Sequence, residues 1–304
     1  MSKARELASL GNAYSDGALS NRNKLINGDF SVWQRGAPIT NSAGGSYFGA
    51  DRWKGYSGST RTFTQDTSSA LSIGFPNCAK IETGAAAASF YNRIEDVRTL
   101  SGQTVTLSYY IKADAAHTPA AAYLAQSFGS GGSDTVFTYL SSPSVTTSWQ
   151  RVVQTVTLPS VEGKTIGASS YLEVYPFTLA ASQTYYITGV QLEIGDTATP
   201  FEHRSYGQEL ALCQRYYSEI NIPSHVGQNG GNISGGYSVY TSMFFPFKEK
   251  MRAAPTIIQP LSLTTDVTGT VTHTASVDGY VLKHGNTTAL YTYIDGMAKF
   301  DAEL

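Results

Sequence analysis

The chain has 304 residues, somewhat more than one hydrophobic core usually supports, so its length favours two folded units. Charged residues make up 14% of the chain and the net charge is -2 with no basic stripe, so the electrostatic footprint of a nucleic-acid-binding protein is missing. No segment approaches the roughly 18 apolar residues of a membrane span, and the N-terminus lacks the apolar core of a signal peptide. We therefore expect no nucleic-acid partner, no membrane insertion and no signal-peptide export.

The first 22 residues combine a helix-compatible run, Ser2 to Leu10, with a polar stretch that is typical of a hinge. Isolated helices below about 12 to 15 residues are marginal in water, so this run either frays or docks on a partner. Both interpretations leave residues 1–22 outside the first folded core.

Residues 23–205 repeat short strand signals separated by turn residues. Thr104 to Ile111 places four apolar side chains on one face and mostly hydroxyl-bearing side chains on the other, the pattern of a half-buried strand. Such repetition predicts an antiparallel β-sandwich. The predicted strands are Thr62 to Gln65, Cys78 to Glu82, Ser89 to Glu95, Gln103 to Ala113, Tyr123 to Phe128, Trp149 to Leu158, Tyr171 to Phe177 and Thr184 to Ile194.

A domain boundary is predicted where this sandwich ends. The strand Gly189 to Ile194 is followed by Thr199-Pro200-Phe201, whose proline cannot extend a central strand. Apolar residues then recur at helical spacing from Tyr206 to Tyr217. A short helical connector over residues 206–220 is therefore expected.

The remaining residues, 221–304, are again rich in strand signals, with turn residues at Asn229-Gly230 and Asp278-Gly279. A unit of this size buries proportionately less surface than the first, so we expect self-association to stabilise it. Five apolar side chains either fill its own core or form a subunit contact: Met243, Phe244, Phe245, Phe247 and Met251. The predicted strands are Tyr237 to Phe247, Thr256 to Leu263, Val267 to Ser276 and Leu290 to Phe300.

Motifs for catalysis and for structural metals are absent from the sequence. The two cysteines, Cys78 and Cys213, form a poor disulfide framework, so two buried thiols are predicted. The histidines lack zinc-site spacing, and there is no phosphate loop and no GxSxG elbow. No motif fixes a carboxylate pair for glycoside hydrolysis, and the candidates are Glu95, Asp96, Glu173 and Glu193. We predict that the chain is not an enzyme.

Several sequence blocks together resemble the jelly-roll module of bacteriophage and prophage fibre or spike proteins. The blocks are Leu25 to Gly36 (LINGDFSVWQRG), Ala50 to Trp53 (ADRW), Gly189 to Tyr217, Met251 to Thr256 (MRAAPT) and the closing DAEL. The resemblance implies an all-β chain. It would consist of a virion-anchoring peptide and hinge (1–22), a jelly-roll β-sandwich resembling carbohydrate-binding modules (23–205), a helical connector (206–220) and a small β-domain for oligomerisation or receptor binding (221–304).

The same resemblance implies a structural virion protein that attaches the particle to host-surface polysaccharide by non-catalytic, multivalent binding. Residues 1–22 would join the portal, capsid or baseplate, and several copies, most plausibly three, would assemble. The protein would be made in the bacterial cytoplasm and displayed on the particle. Head fibre, tail fibre and baseplate spike, and virus and gene-transfer particle, remain open alternatives.

A sugar site is predicted from residue chemistry. Carbohydrates present apolar CH faces and hydroxyl edges, so their sites combine exposed aromatic rings with planar polar groups, and this chain has 20 Tyr and three Trp. The predicted site contains Trp53, Arg52, Asp51 and Tyr56, with Trp33, Tyr47 and Gln126 as neighbours. In the alternative, Asp51 and Arg52 form an ion pair and the tryptophans are core residues.

Jelly-roll modules of this kind often hold a structural calcium ion near the start of the domain. The resemblance assigns that role to oxygens of Asn27, Asp29 and Glu193, because calcium prefers carboxylates and carbonyls. The first block lacks the glutamate that many sugar modules place after the aromatic residue, so the likeness is incomplete at this point.

Two other functions remain open at this stage. The first is an architectural capsid or baseplate decoration that binds no glycan. The second is a polysaccharide-modifying enzyme, which the absence of a repeat of 20 to 50 residues disfavours because depolymerising spikes usually use repetitive architectures.

Overall fold

The structure is a computed structural model that describes residues 21–41, 44–47, 49–120, 122–222, 228–229, 239–265, 269–286 and 291–304. Within these residues the regular secondary structure is almost entirely antiparallel β-strand, which confirms the predicted all-β class. The helix-compatible run Ser2 to Leu10, and most of the proposed anchoring peptide, lie outside the described residues.

The chain divides into two compact units, residues 1–209 with Leu304 and residues 210–303. Helix α1 (Tyr206–Gln214) contains the point of division. It is shorter than the predicted connector, because Tyr217–Ile222 forms a strand. None of the helices in the described part of the chain has the length and apolar character needed to cross a membrane.

The first unit is a β-sandwich of two six-stranded antiparallel sheets. The back sheet contains, in spatial order, β1 (Ile39–Asn41), β4 (Arg61–Asp66), β5 (Cys78–Thr83), β12 (Thr184–Ile194), β7 (Thr104–Ala113) and β10 (Gln150–Thr157). The front sheet contains β2 (Gly44–Tyr47), β3 (Trp53–Ser57), β6 (Tyr91–Glu95), β11 (Tyr171–Tyr175), β8 (Tyr123–Ser127) and β9 (Val136–Tyr139).

Each strand predicted for this unit is present, whereas β1, β2, β3 and β9 were missed. Three of them, β1, β2 and β9, have only three or four residues each, too few for a clear alternation of apolar and polar positions.

The core lies between the two sheets and follows the predicted alternation. On β7, Val105, Leu107, Tyr109 and Ile111 are buried, while the hydroxyls of Thr104 and Thr106 pair with threonines of β10 on the opposite face. Large rings fill the centre of the sandwich, and burial of each such side chain contributes about 1.5 to 3 kcal/mol.

The second unit contains a five-stranded and a three-stranded arrangement. The first is built on β20 (Tyr291–Asp301), which pairs with β13 (Tyr217–Ile222), β14 (Gln228–Asn229), β16 (Thr256–Gln259) and β17 (Ser262–Thr265). The second orders β15 (Val239–Pro246), β19 (Gly279–Asn286) and β18 (Gly269–Ala275).

Two predictions for this unit are corrected by the structure. The single strand expected from Thr256 to Leu263 is two strands, because Pro260 between them lacks the N–H that would continue the ladder. Strand β19 was not predicted at all.

The dense apolar residues of the second unit mainly fill its own core. Phe247 and Met251 are buried, and Met243 and Phe245 pack against the same cluster, whereas Phe244 is exposed. The two cysteines are buried and form no disulfide, which confirms the prediction of buried thiols.

Candidate functional site

Trp53, the centre of the predicted sugar site, is a core residue. Its side chain is completely buried, its ring stacks on Phe90 with centroids 4.4 Å apart, and its Nε1 donates to the Asn27 carbonyl oxygen at 2.9 Å. The first position of β3 faces the interior, so a sugar cannot reach this ring in the observed conformation.

The two charged neighbours of Trp53 are also buried. Asp51 accepts hydrogen bonds from Gln34 Nε2 at 2.8 Å and from Arg35 Nη1 at 3.1 Å. Arg52 has a positive φ of 71° and donates to the Arg93 carbonyl oxygen at 2.5 Å. These side chains stabilise the loop that leads into β3, and the structure does not expose them to a ligand.

The remaining predicted residues divide between interior and surface. Gln126 points inward from β8, is 1% exposed and donates to the Pro159 carbonyl oxygen. Trp33 packs partly buried against the core. Tyr47 is half-buried and Tyr56 is 61% exposed, so these two tyrosines lie at the surface of the front sheet.

The sequence blocks that resemble phage modules assemble into a buried polar framework. The Asn23 side chain donates to the Val190 carbonyl oxygen at 3.0 Å and accepts from the Leu192 N–H at 3.1 Å. The Asn27 side chain binds both backbone groups of Val32 and donates to the Asp51 carbonyl oxygen at 2.9 Å. Buried amides of this kind satisfy backbone groups that would otherwise be orphaned.

Helix α1 closes this framework through Glu209. Its carboxylate accepts from the Asn27 N–H and from Arg204 Nη1, and Arg204 also donates to the Leu25 carbonyl oxygen at 3.1 Å. Burial raises the pKa of the Glu209 carboxyl, and the hydrogen bond from Asn27 and the charge of Arg204 oppose that shift. The blocks 25–36 and 189–217 are thus bound to each other, which gives them a structural role.

The oxygens proposed as calcium ligands already accept hydrogen bonds within the protein. Glu193 accepts from Gln191 Nε2, from the Thr199 N–H and from the Thr199 hydroxyl. Asp29 accepts from the N–H and the hydroxyl of Ser31. Across the described ranges no group of three or more His, Cys, Asp or Glu side chains is arranged to hold a metal ion. The residues Asn27, Asp29 and Glu193 therefore do not fit a shared calcium site.

The outer face of the front sheet carries a transverse row of tyrosines. Strand pairing sets Tyr47 opposite Lys54, Lys54 opposite Tyr91, and Tyr123 opposite both Tyr175 and Tyr139. Because Val174 pairs with Asn92, the next position aligns Tyr175 with Tyr91. We call this set the tyrosine row, and it contains Tyr47, Lys54, Tyr91, Tyr175, Tyr123 and Tyr139. With strands about 4.8 Å apart, six strands extend it over roughly 24 Å.

One end of the row, on β11, β8 and β9, is purely aromatic. The Tyr123 ring lies 4.7 Å from Tyr175 and meets Phe137 edge-on at 5.2 Å. Phe137 and Tyr139 are 48% and 67% exposed. We call Tyr175, Tyr123, Phe137 and Tyr139 the aromatic end.

The other end of the row, on β2, β3 and β6, is basic. Arg93 binds Glu173 at 3.0 Å and lies 4.1 Å above the Tyr171 ring. Lys54 and Arg35 lie 4.9 and 4.8 Å from the centroid of the Tyr47 ring. We call Arg35, Tyr47, Lys54 and Arg93 the basic end.

Leu304, which groups with the first unit, lies on the basic end. Its carbonyl oxygen accepts from the Tyr47 hydroxyl at 2.9 Å and from Arg93 Nη1 at 2.7 Å. Two donors of the basic end, Tyr47 and Arg93, therefore bind one oxygen atom.

Three tyrosines of the row are neutral hydrogen-bonding groups. Burial raises the pKa of the Tyr91, Tyr123 and Tyr175 phenols, and the neighbouring Glu173 carboxylate adds to the increase at each. Their hydroxyls therefore stay protonated at physiological pH, and the hydroxyl of the buried Tyr175 donates to the Thr178 hydroxyl at 3.1 Å.

The carboxylates considered for hydrolysis lie among other side chains of the sandwich. Glu173 pairs with Arg93, Glu193 binds Thr199, and Asp96 pairs with the exposed Arg98 at 3.4 Å. Glu95 lies next to Tyr171 on the outer face of the front sheet. The register places Glu95 and Glu173 at diagonal positions of neighbouring strands on this face.

Comparisons with known proteins give structural likeness at low similarity. No protein-family model and no curated protein sequence matches the chain. The enzymatically active domain of tailspike protein 4 from bacteriophage CBA120 aligns with a TM-score of 0.35 and 13% identity over 57% of this chain, which spans 22% of that domain.

Two carbohydrate-binding modules align at a comparable level. The CBM22-1 xylan-binding domain from Paenibacillus barcinonensis gives a TM-score of 0.31 and 14% identity over 54% of this chain and 97% of that domain. A family 22 carbohydrate-binding module from Clostridium thermocellum gives 0.33 and 15% over 49% of this chain and 88% of that module. Similarity at this level assigns no function to the chain.

The sequence contained a signal for the tyrosine row that the prediction did not use. Within β6 and β11, Tyr91, Tyr171 and Tyr175 occupy the positions that alternate with buried apolar residues such as Leu172 and Val174. Such alternation places tyrosines on the outer face. The prediction instead favoured the cluster of Trp53 with Arg52, Asp51 and Tyr56, in which an aromatic ring lies next to planar polar groups in the sequence.

Proposed function

We propose that this chain is a non-catalytic polysaccharide-binding subunit of a phage-type fibre or spike, and that the tyrosine row is its glycan-binding surface. The observation that carries the proposal is the alignment of five tyrosines and Lys54 across all six strands of the front sheet. Tyr47 of the row belongs to the sugar site predicted from sequence, and the exposed Tyr56 lies beside it on β3.

The geometry of the row fits an extended sugar chain. A track of roughly 24 Å across the strands accommodates several consecutive sugar rings. Exposed rings at Phe137 and Tyr139 can stack on the CH faces of sugars, and the neutral tyrosine hydroxyls can bind hydroxyl edges. Recognition of this type needs no catalytic group.

Several copies on one particle would make weak single-site binding effective. Tethering raises the effective concentration for each further contact, so avidity can exceed single-site affinity by about two to four orders of magnitude. We accordingly propose a homo-oligomer, with a trimer favoured, on the surface of a virion assembled in the bacterial cytoplasm. Attachment to the portal, capsid or baseplate through residues 1–22 rests on the sequence resemblance.

The test is whether removal of the aromatic end abolishes binding to cells. We expect Tyr139→Ala combined with Phe137→Ala to lower binding of the full chain to glycan arrays and to host cells by about tenfold or more, because each lost stacking contact is worth about 0.5 to 1.5 kcal/mol and copies act together. Phe244→Ala is the matched control, since Phe244 is a comparably exposed ring in the second unit.

Other outcomes distinguish the alternative functions. If the wild-type protein binds neither to cells that carry their surface polysaccharide nor to cells that lack it, the protein is an architectural decoration. New reducing ends in purified capsule incubated with the protein identify a polysaccharide-modifying enzyme, and Glu173→Ala and Glu95→Ala are then the first variants to assay. Equal binding by the wild type and the double variant removes the tyrosine row as the site.

A further inference from the structure

Charge is distributed unequally along the tyrosine row. By sequence, β8 and β9 carry no Asp, Glu, Lys or Arg. At the basic end, Arg35, Lys54 and Arg93 lie on or beside the outer face, and Arg61 is buried beneath it, where it donates to carbonyl oxygens of β2 and β3. The part of the row on β8 and β9 is therefore neutral and the basic end carries cations, although the whole chain has a net charge of -2.

Two acidic residues at the basic end form ion pairs with arginines of the same end. Asp51 is fully buried and pairs with Arg35 at 3.1 Å, and Glu173 pairs with Arg93 at 3.0 Å. Glu95 is the other carboxylate on this part of the outer face, in register with Tyr171. Among the described side chains on or directly beneath this end, the five cations Arg35, Arg52, Lys54, Arg61 and Arg93 outnumber the three carboxylates Asp51, Glu95 and Glu173.

At the basic end, hydrogen-bond donors surround one oxygen atom. The Tyr47 ring lies between Arg35 and Lys54, and its hydroxyl points at the same Leu304 oxygen that Arg93 Nη1 binds. Two donors therefore point at one oxygen position at this end. Donors positioned in this way bind an anionic oxygen more strongly than a neutral hydroxyl, because charge-assisted hydrogen bonds are roughly twice as strong as neutral ones.

We propose that the basic end selects polysaccharides that carry an anionic group, a carboxylate or a phosphate. This inference rests on the proposed function, since it assigns a substrate class to the same row. The aromatic end stacks on sugar rings of either class, while Lys54, Arg93 and the Tyr47 hydroxyl bind the anionic oxygen in the position now taken by Leu304. The direction of the bound chain is thereby fixed, with its acidic group over β2, β3 and β6.

The experiment uses the full chain on an array of neutral and acidic bacterial polysaccharides. Each uronic-acid polymer is paired with its carboxyl-reduced form, and each phosphate-bearing polymer with its dephosphorylated form. We expect acidic members to bind about tenfold more tightly than their neutral partners at about 0.05 M salt, with most of the difference lost at about 0.5 M salt, where charges are screened within a few ångströms. The two kinds of pair distinguish carboxylate from phosphate.

Charge variants at one position complete the test. Lys54→Gln keeps most of the side-chain length and should weaken binding to acidic members about five- to tenfold, while binding to neutral members stays within about twofold. Lys54→Arg should retain acidic binding. Lys164→Gln is the matched control, because Lys164 is an exposed lysine in the turn after β10.

The outcomes separate this inference from the proposed function. Equal affinity for acidic polymers and their neutral partners overturns the selection of anions and leaves polysaccharide binding intact. Loss of neutral and acidic binding to the same degree in Lys54→Gln also overturns it. A wild-type chain that binds nothing on the array overturns the proposed function, and this inference with it.

Discussion

The inward and outward residues of the front sheet differ in chemistry although they alternate along the same strands. Inward positions hold Trp53, which stacks on Phe90, and Gln126, which binds the loop at Pro159. Outward positions hold tyrosines, Lys54, Arg93 and Glu173. In this sandwich the largest aromatic residue stabilises the fold, whereas rings of intermediate polarity form the surface. Aromatic size alone is therefore a poor guide to a binding residue.

The largest expected effect on stability follows from removing the inward-facing side chain of Trp53. Trp53→Ala should lower the free energy of unfolding by about 3 to 5 kcal/mol, because it leaves a large cavity against Phe90 and removes the bond to the Asn27 carbonyl oxygen. Urea denaturation followed by tyrosine fluorescence measures the change. Tyr139→Ala is the outward control, and it should alter stability by no more than about 0.5 kcal/mol. Equal destabilisation by both substitutions would contradict the division between the two faces.

A smaller effect is expected from the framework that supports the inward face. Asn27→Ala removes three side-chain hydrogen bonds and leaves the buried Val32 and Asp51 backbone groups unsatisfied. We expect a loss of about 2 to 3 kcal/mol in the free energy of unfolding, measured by the same denaturation experiment. Asn21→Ala is a surface control, since Asn21 also has a positive φ but is exposed. A variant at position 27 as stable as wild type would show that the framework is dispensable.

The smallest effect concerns an inward pair in the second unit and depends on pH. His273 is hydrogen-bonded through Nδ1 to the hydroxyl of the buried Tyr280, and burial lowers the pKa of its imidazole below the ordinary value of 6.5. As pH falls through 6.5 the unfolded chain takes up the proton before the folded chain does, so stability decreases towards acid. Thermal melting between pH 7.5 and 5 should show a shallower decline for His273→Gln than for wild type, and an identical slope would refute this assignment.

Much of the fold could be predicted because, in a long strand, the alternation of apolar and polar residues indicates which side chains are buried. β7 alternates over ten residues, and its four apolar side chains are buried as expected. Short strands such as β1 and β9 lack that length, and the effect of Pro260 on the expected strand from Thr256 to Leu263 was overlooked. Strand existence thus follows from local pattern, whereas strand ends depend on pairing partners.

The site was harder to predict because it depends on register between distant strands. Tyr47, Tyr91 and Tyr139 become neighbours in one row only through pairings that join β2, β3, β6, β11, β8 and β9. No local pattern specifies those pairings. Trp53 and Gln126 were assigned to the surface by side-chain chemistry, but their positions in β3 and β8 face inward. The sequence indicates which residues of one strand share a face. It does not indicate which residues of neighbouring strands lie opposite each other.

The bond between Asn27 and Glu209 has a consequence for how the sandwich can be used in larger proteins. It brings the segment entering the first unit beside the segment leaving it, and Arg204 reinforces the junction through the Leu25 carbonyl oxygen. A folded unit whose two ends meet can be spliced into a host loop without stretching its strands. Residues 25–209 could therefore be inserted into a loop of another protein with the contacts between their two ends retained.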